Sequence, residues 1–141
     1  HDLCKELDRD VQRRLAAEYP GHPSFSAVVS DKALHGPAAA ALLARDYRVE
    51  DEEILDAVAV HTLGRIGMTP LAAVVYCADK LEPGRDGMSP EFRESCLMLP
   101  LAELLREVVG HTIAYLESKG KNVAPETLIL YNSLADGDPV R

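Results

Sequence analysis

Imidazole and carboxylate side chains recur where metal ligands could converge: the adjacent pair His1-Asp2, His35 in Leu34-His35-Gly36, His61 in His61-Thr62-Leu63-Gly64, and Asp79 in Tyr76-Cys77-Ala78-Asp79. A carboxylate can bridge two divalent ions while histidine nitrogens complete their separate shells, and the pair can then activate a water between them. Asp2 is the candidate bridge. A donor set without thiolate suits iron, manganese, zinc or cobalt better than calcium or an iron–sulfur cluster. Adjacent residues on a helix diverge by about 100°, so His1 and Asp2 serve one centre only from a helix end or a bent turn. A lone histidine on an apolar face more often satisfies one backbone carbonyl. Asp79, however, falls on an inward face, where a carboxylate needs a cation, a metal or hydrogen bonds. With His1-Asp2 added, a metal centre accounts for the set better than several separate buried polar residues do.

Cations near these positions suit phosphate. Lys5, four residues after His1, is expected on the same helical face, able to touch phosphate or an attacking water; the alternative is a solvated surface lysine. Thr62, Gly64 and Arg65 directly follow His61, so a backbone turn and a guanidinium could grip phosphate oxygens. Arg85, after Glu82-Pro83-Gly84, is the second guanidinium candidate, with Glu82 orienting it or merely ending a helix. His22, in a Pro/Gly loop, and His111, within a long amphipathic segment, read as surface or structural residues.

The elements that must position these groups are helices, because the helical period recurs while period-two alternation is almost absent. Leu3, Leu7, Val11 and Leu15 mark a first amphipathic helix ending before Pro20-Gly21, and a short segment around Phe25 to Ser30 follows. An alanine-rich second helix runs through Ala33, Leu34, Ala38, Ala41 and Leu42, with His35 near its start. Asp51-Glu52-Glu53 open a third, suiting the positive end of its dipole, and Ile54, Leu55, Val58 and His61 share a side. Thr69-Pro70 and Ser89-Pro90 are helix starts. The first of these helices carries Ala72, Val75, Tyr76 and Asp79 on one face and ends at Glu82-Pro83-Gly84-Arg85; the second is short, through Cys96. Leu101, Leu104, Leu105, Val108, Thr112 and Leu116 define the longest helix, with Gly120 as its stop. A last helix starts near Pro125. The reading is one all-α domain over 1–134 and a tail over 135–141.

A chain of 141 residues suits one domain with one sizeable core. Its formal charge of −8 argues against a nucleic-acid partner, which normally meets a basic face; an anionic substrate would need a local positive site supplied by metal ions and a few Arg or Lys. Cys4, Cys77 and Cys96 form no CxxC pair, so buried free thiols and a cytoplasmic location are expected. No stretch approaches a membrane span or a secretory h-region. An initial His in place of Met suggests that an upstream segment is absent from this chain.

The ordered set resembles the HD superfamily of metal-dependent phosphohydrolases, named for a His-Asp doublet, and within it the YqeK-type symmetrical dinucleoside tetraphosphate hydrolases. The matching segments are His1-Asp2-Leu3-Cys4-Lys5-Glu6, Leu34-His35-Gly36, His61-Thr62-Leu63-Gly64-Arg65 with Met68, the run from Tyr76 to Arg85, and Thr112-Ile113-Ala114-Tyr115-Leu116. The resemblance implies an HD-domain helical bundle, here lacking its N-terminal helix and the upstream His which that helix carries. It implies that His1, Asp2 and Asp79 hold one metal and Asp2, His35 and His61 the other, with iron favoured and manganese, cobalt or zinc as alternatives. It further implies cleavage of diadenosine tetraphosphate to two ADP by a metal-bound hydroxide; Asp2 as the candidate bridge and Lys5, from its spacing after His1, are the candidate catalytic residues. The other readings are an HD-type nucleotidase or phosphodiesterase with another substrate, and a weakly active or non-catalytic nucleotide-binding regulatory domain. A homodimer seam through Tyr115 and Leu116 stands as an alternative to an intramolecular core there.

Overall fold

The computed structural model describes residues 1–19 and 33–135. His22, the segment Phe25 to Ser30 and the tail beyond Ala135 lie outside the described residues. Among those described there are seven helices and no strand: α1 Arg9–Glu18, α2 His35–Asp46, α3 Glu52–Val60, α4 Pro70–Lys80, α5 Pro90–Leu97, α6 Leu101–Ser118 and α7 Pro125–Ala135. The all-α expectation is borne out. The chain divides into two compact units, His1–Leu63 and Gly64–Arg141.

In the first unit α2 packs against both α1 and α3. Its run Ala38 to Ala41 is buried, and the absence of bulk there lets neighbouring backbones approach. Cys4, Leu15, Ala16, Leu34, Ala38 and Ala39 make one apolar cluster, with Val11, Leu42 and Val58 against it. The first helix begins later than the Leu3–Leu7 period suggests. The Asp8 side chain caps α1 by accepting from the Asp10 amide, and residues 3–6 form a turn instead. Leu3, 51% exposed, therefore adds nothing to the core. Helix α3 starts where its acidic run predicts, with Asp51 accepting from the Glu53 and Ile54 amides. Ile54 departs from the expected stripe: it is exposed, and Leu55, Ala57, Ala59 and Val60 are the buried positions.

In the second unit α6 packs against α4, α5 and α7. Thr69 and Ser89 cap α4 and α5 by accepting from the Ala72 and Phe92 amides, with Pro at the first helical position of each. Helix α6 stops at Gly120, whose φ of 64° is left-handed. There the Lys121 amide returns to the Leu116 carbonyl at 2.9 Å and the Gly120 amide to that of Glu117 at 2.9 Å, a Schellman closure that satisfies the last carbonyls. His111 on α6 stacks on Phe92 with ring centroids 4.2 Å apart. No helix among the described residues is long and apolar enough to cross a membrane.

Candidate metal centre

Three segments of the first unit deliver imidazoles to one carboxylate. His1 and Asp2 precede the 3–6 turn, which begins with the Lys5 amide donating to the Asp2 carbonyl at 3.0 Å; the pair thus sits in a bent turn and not along a helix. His35 opens α2, and His61 is the C-cap of α3. The buried Asp2 Oδ1 faces His35 Nε2 at 3.4 Å, His61 Nε2 at 3.6 Å and His1 Nε2 at 3.7 Å. The two Nε2 atoms of His35 and His61 are 3.0 Å apart. Donors each bound at about 2.1 Å to one ion stand roughly 3.0–3.4 Å from one another, so these atoms have nearly the mutual spacing of a coordination shell.

His61 is set up for this by its other nitrogen. Nδ1 lies 2.7 Å from the Val58 carbonyl, which can only accept, so Nδ1 carries the proton and Nε2 keeps its lone pair. The Thr62 hydroxyl lies 3.2 Å from His61 Nε2 and 3.3 Å from His35 Nε2. Lys5 Nζ donates to Asp2 Oδ2 at 2.9 Å, so the two oxygens of Asp2 have different neighbours: an ammonium on one, three imidazoles on the other. Lys5 arrives through the turn, not along a helical face as its spacing suggested.

Two further residues position the cluster. Gly36 lets α2 meet the end of α3: a Cβ there would lie 2.7 Å from the Ala59 carbonyl oxygen and 3.3 Å from His61 Nδ1. Gly36→Ala is expected to lower the unfolding free energy by about 1–3 kcal/mol through overpacking and to loosen divalent-metal binding by separating His35 from His61. Urea denaturation and a metal titration check it; unchanged metal affinity would mean that the close approach does not set the imidazole spacing. Buried Gln12 escaped the sequence reading. Its Nε2 donates to the carbonyls of Lys5 at 3.2 Å and Leu7 at 2.9 Å, tying down the turn after Asp2. The available signal was an amide at a buried position of α1, between Val11 and Leu15.

The second unit brings Asp79, Glu82 and Arg85 together at the end of α4. Asp79 is buried, and its Oδ2 accepts from Lys80 Nζ at 2.8 Å. Arg85 Nη1 reaches Asp79 Oδ1 at 3.2 Å, the Asp79 carbonyl, and Glu82 Oε1 at 3.4 Å. Burial lowers the proton affinity of Lys80, against which the Asp79 carboxylate raises it. Burial also drives up the Tyr76 phenol and pushes the Cys77 thiol up to about 12, so both stay neutral. Gly64 starts this unit at φ 70°, and a Cβ on it would lie 2.5 Å from Leu130 Cδ2 and 3.3 Å from Tyr76 Cε2; only glycine fits before Arg65. Arg65 itself turns back with Nη1 3.5 Å from the Ile66 carbonyl.

No family model matches the chain. It is 32% identical over 137 residues to the symmetrical bis(5'-nucleosyl)-tetraphosphatase of Bacillus subtilis (strain 168), across 97% of this chain and 73% of that protein. A second protein of that name, from Halalkalibacterium halodurans, is 30% identical over 134 residues, across 95% of this chain and 71% of its own. Among solved structures, an HD superfamily hydrolase from Clostridium acetobutylicum superposes with a TM-score of 0.75 at 23% identity, covering 96% of this chain and 72% of that one. The fold is that of an HD superfamily hydrolase. Within that class, the chain belongs to the YqeK-type family of symmetrical bis(5'-nucleosyl)-tetraphosphatases.

Proposed function

We propose that this chain hydrolyses diadenosine tetraphosphate symmetrically, releasing two ADP, with divalent transition metal held by His1, Asp2, His35 and His61 and by Asp79 as a further carboxylate ligand. The observation that carries this reading is the buried Asp2 Oδ1 facing three imidazole Nε2 atoms at 3.4 to 3.7 Å. The donors are those of iron, manganese, cobalt or zinc. Family membership favours iron, and His1, Asp2, His35, His61 and Asp79 would together hold two such ions. When bound, such ions lower the pKa of water and neutralise charge on a phosphoryl group.

The chain's own groups supply the rest. Lys5 holds Asp2 through Oδ2, which leaves Oδ1 turned to the imidazoles, and its ammonium adds positive charge where phosphate oxygens would lie. The Thr62 hydroxyl, among the imidazole nitrogens, can donate to a phosphate oxygen. Arg65, after the backbone turn that Gly64 permits, and Arg85, braced by Glu82, are the guanidinium clamps for the outer phosphates. A tetraphosphate needs such local cations against a chain charge of −8. Buried Cys4, Cys77 and Cys96, all free thiols, suit the reducing cytoplasm we assign to the protein.

Arg65→Ala and Arg85→Ala are each expected to weaken ADP binding about tenfold, the worth of a charge-assisted hydrogen bond, measured by calorimetry at saturating metal. Unchanged affinity in both would return the two residues to the ordinary surface. The proposed reaction is tested by stripping the protein with chelator, reloading it with each metal and separating the products from diadenosine tetraphosphate. ADP alone supports it; ATP plus AMP, or no turnover with any metal, contradicts it.

A further inference from the structure

Lys80 is a lysine in an unusual place. It is 5% exposed, although lysine is almost never fully buried unless paired. Asp79 and Lys80 are neighbours on α4, where successive side chains diverge by about 100°, yet Lys80 Nζ curls back to Asp79 Oδ2 at 2.8 Å. On the way it crosses the face of Tyr76, four residues earlier, with Nζ 4.4 Å from the ring centroid, a cation–π contact that helps hold a desolvated ammonium. Asp79 is thus gripped from two sides. Arg85, from the turn after α4, holds Oδ1 and the main-chain oxygen and has a 35% exposed side chain, whereas Lys80 holds Oδ2 from within the core.

We propose that Lys80 is a built-in counter-ion for Asp79, a positioning residue that stands in for metal when none is bound and competes with a divalent cation for that carboxylate. The inference rests on the reading of Asp79 as a metal ligand. Its logic is electrostatic. Without metal, a buried carboxylate needs compensation, which Lys80 and Arg85 provide. With metal, the carboxylate has a stronger cation, and the ammonium at its other oxygen becomes a like charge that opposes the ion. Arg85 can swing away on its exposed turn; Lys80, enclosed by Tyr76 and the helix, cannot. Lys80 therefore stabilises the metal-free fold and keeps the metal weaker and more exchangeable than the ligands alone would make it. A lysine serving only to fill the core or to meet the helix dipole would stabilise the metal-free and metal-loaded forms equally.

The test compares the full chain with Lys80→Met, Lys80→Arg and Asp79→Asn, each stripped by chelator and titrated with Mn²⁺ at one fixed pH and ionic strength, with thermal melts before and after loading. Lys80→Met is expected to melt lower than wild type without metal, to bind Mn²⁺ roughly tenfold more tightly from the lost like-charge repulsion, and to gain more melting temperature on loading. Lys80→Arg stays near wild type, and Asp79→Asn binds more weakly. If metal-free Lys80→Met does not fold, recovery of its helical circular dichroism on adding Mn²⁺ is the same coupling in stronger form, and failure to recover overturns the proposal. Equal or weaker Mn²⁺ binding by Lys80→Met overturns the Lys80 assignment alone. Absence of Mn²⁺ binding by wild type, or full affinity in Asp79→Asn, removes the metal reading of Asp79 and the Lys80 proposal with it.

Discussion

Asp2→Asn is expected to lower turnover of diadenosine tetraphosphate by about three orders of magnitude, roughly 4 kcal/mol of transition-state stabilisation, while leaving the helix content intact. Neither orientation of the amide fits. With its oxygen toward His1, His35 and His61, its NH₂ meets the Lys5 ammonium, which now donates to the carboxylate at 2.9 Å. Reversed, the NH₂ occupies the position of Oδ1, which faces three Nε2 atoms at 3.4 to 3.7 Å; a donor there cannot bind a cation. Either way the carboxylate charge is lost, and metal content should fall with activity. Metal analysis and steady-state kinetics on the same preparation check both. Near-normal turnover with full metal content would remove Asp2 from the centre.

Asp79→Ala is expected to cost about 3 kcal/mol of stability in the metal-free protein, at the lower end for breaking a buried pair and a large part of a typical total. The asymmetry of its two partners sets the size. Arg85 is partly exposed and can turn to water or to Glu82. Lys80, buried against Tyr76, loses the carboxylate that offsets its desolvation, and the loss stays at the lower end because burial lowers its proton affinity. Adding Lys80→Met to Asp79→Ala should recover most of the loss, since a buried apolar side chain needs no counter-ion. Urea unfolding of the single and double variants measures the coupling. A loss below 1 kcal/mol, or no recovery in the double variant, would mean that the pair is solvated.

The helices were legible wherever their ends are chemical. Asp51, Thr69-Pro70, Ser89-Pro90 and Gly120 announced starts and stops that the caps reproduce. The start of α1 was not legible, because Leu3, Leu7, Val11 and Leu15 continue one helical period through what is a turn; Asp8 as a cap decides the boundary, and a period does not record caps. The convergence of His1, Asp2, His35 and His61 lay beyond spacing, since it depends on how closely α2 approaches α3 at Gly36. Ligand types were readable, but the tautomer of His61 is set by a carbonyl and the turn after Asp2 by Gln12, a residue whose partners are main-chain atoms and leave no motif. Lys80 was invisible for a similar reason. A lysine at a helix end reads as a solvated charge, and its burial follows from the packing around Tyr76.

Hydrolysis of diadenosine tetraphosphate in ¹⁸O-enriched water by the metal-reconstituted protein, with mass analysis of the nucleotides, decides whether water attacks at the middle of the phosphate chain. Symmetrical attack by water divides the chain of four phosphates at its middle bridge, so ADP is expected as the only product, with one solvent oxygen on the terminal phosphate of one ADP in every pair. ATP and AMP as products, or ADP carrying no solvent oxygen, would contradict it.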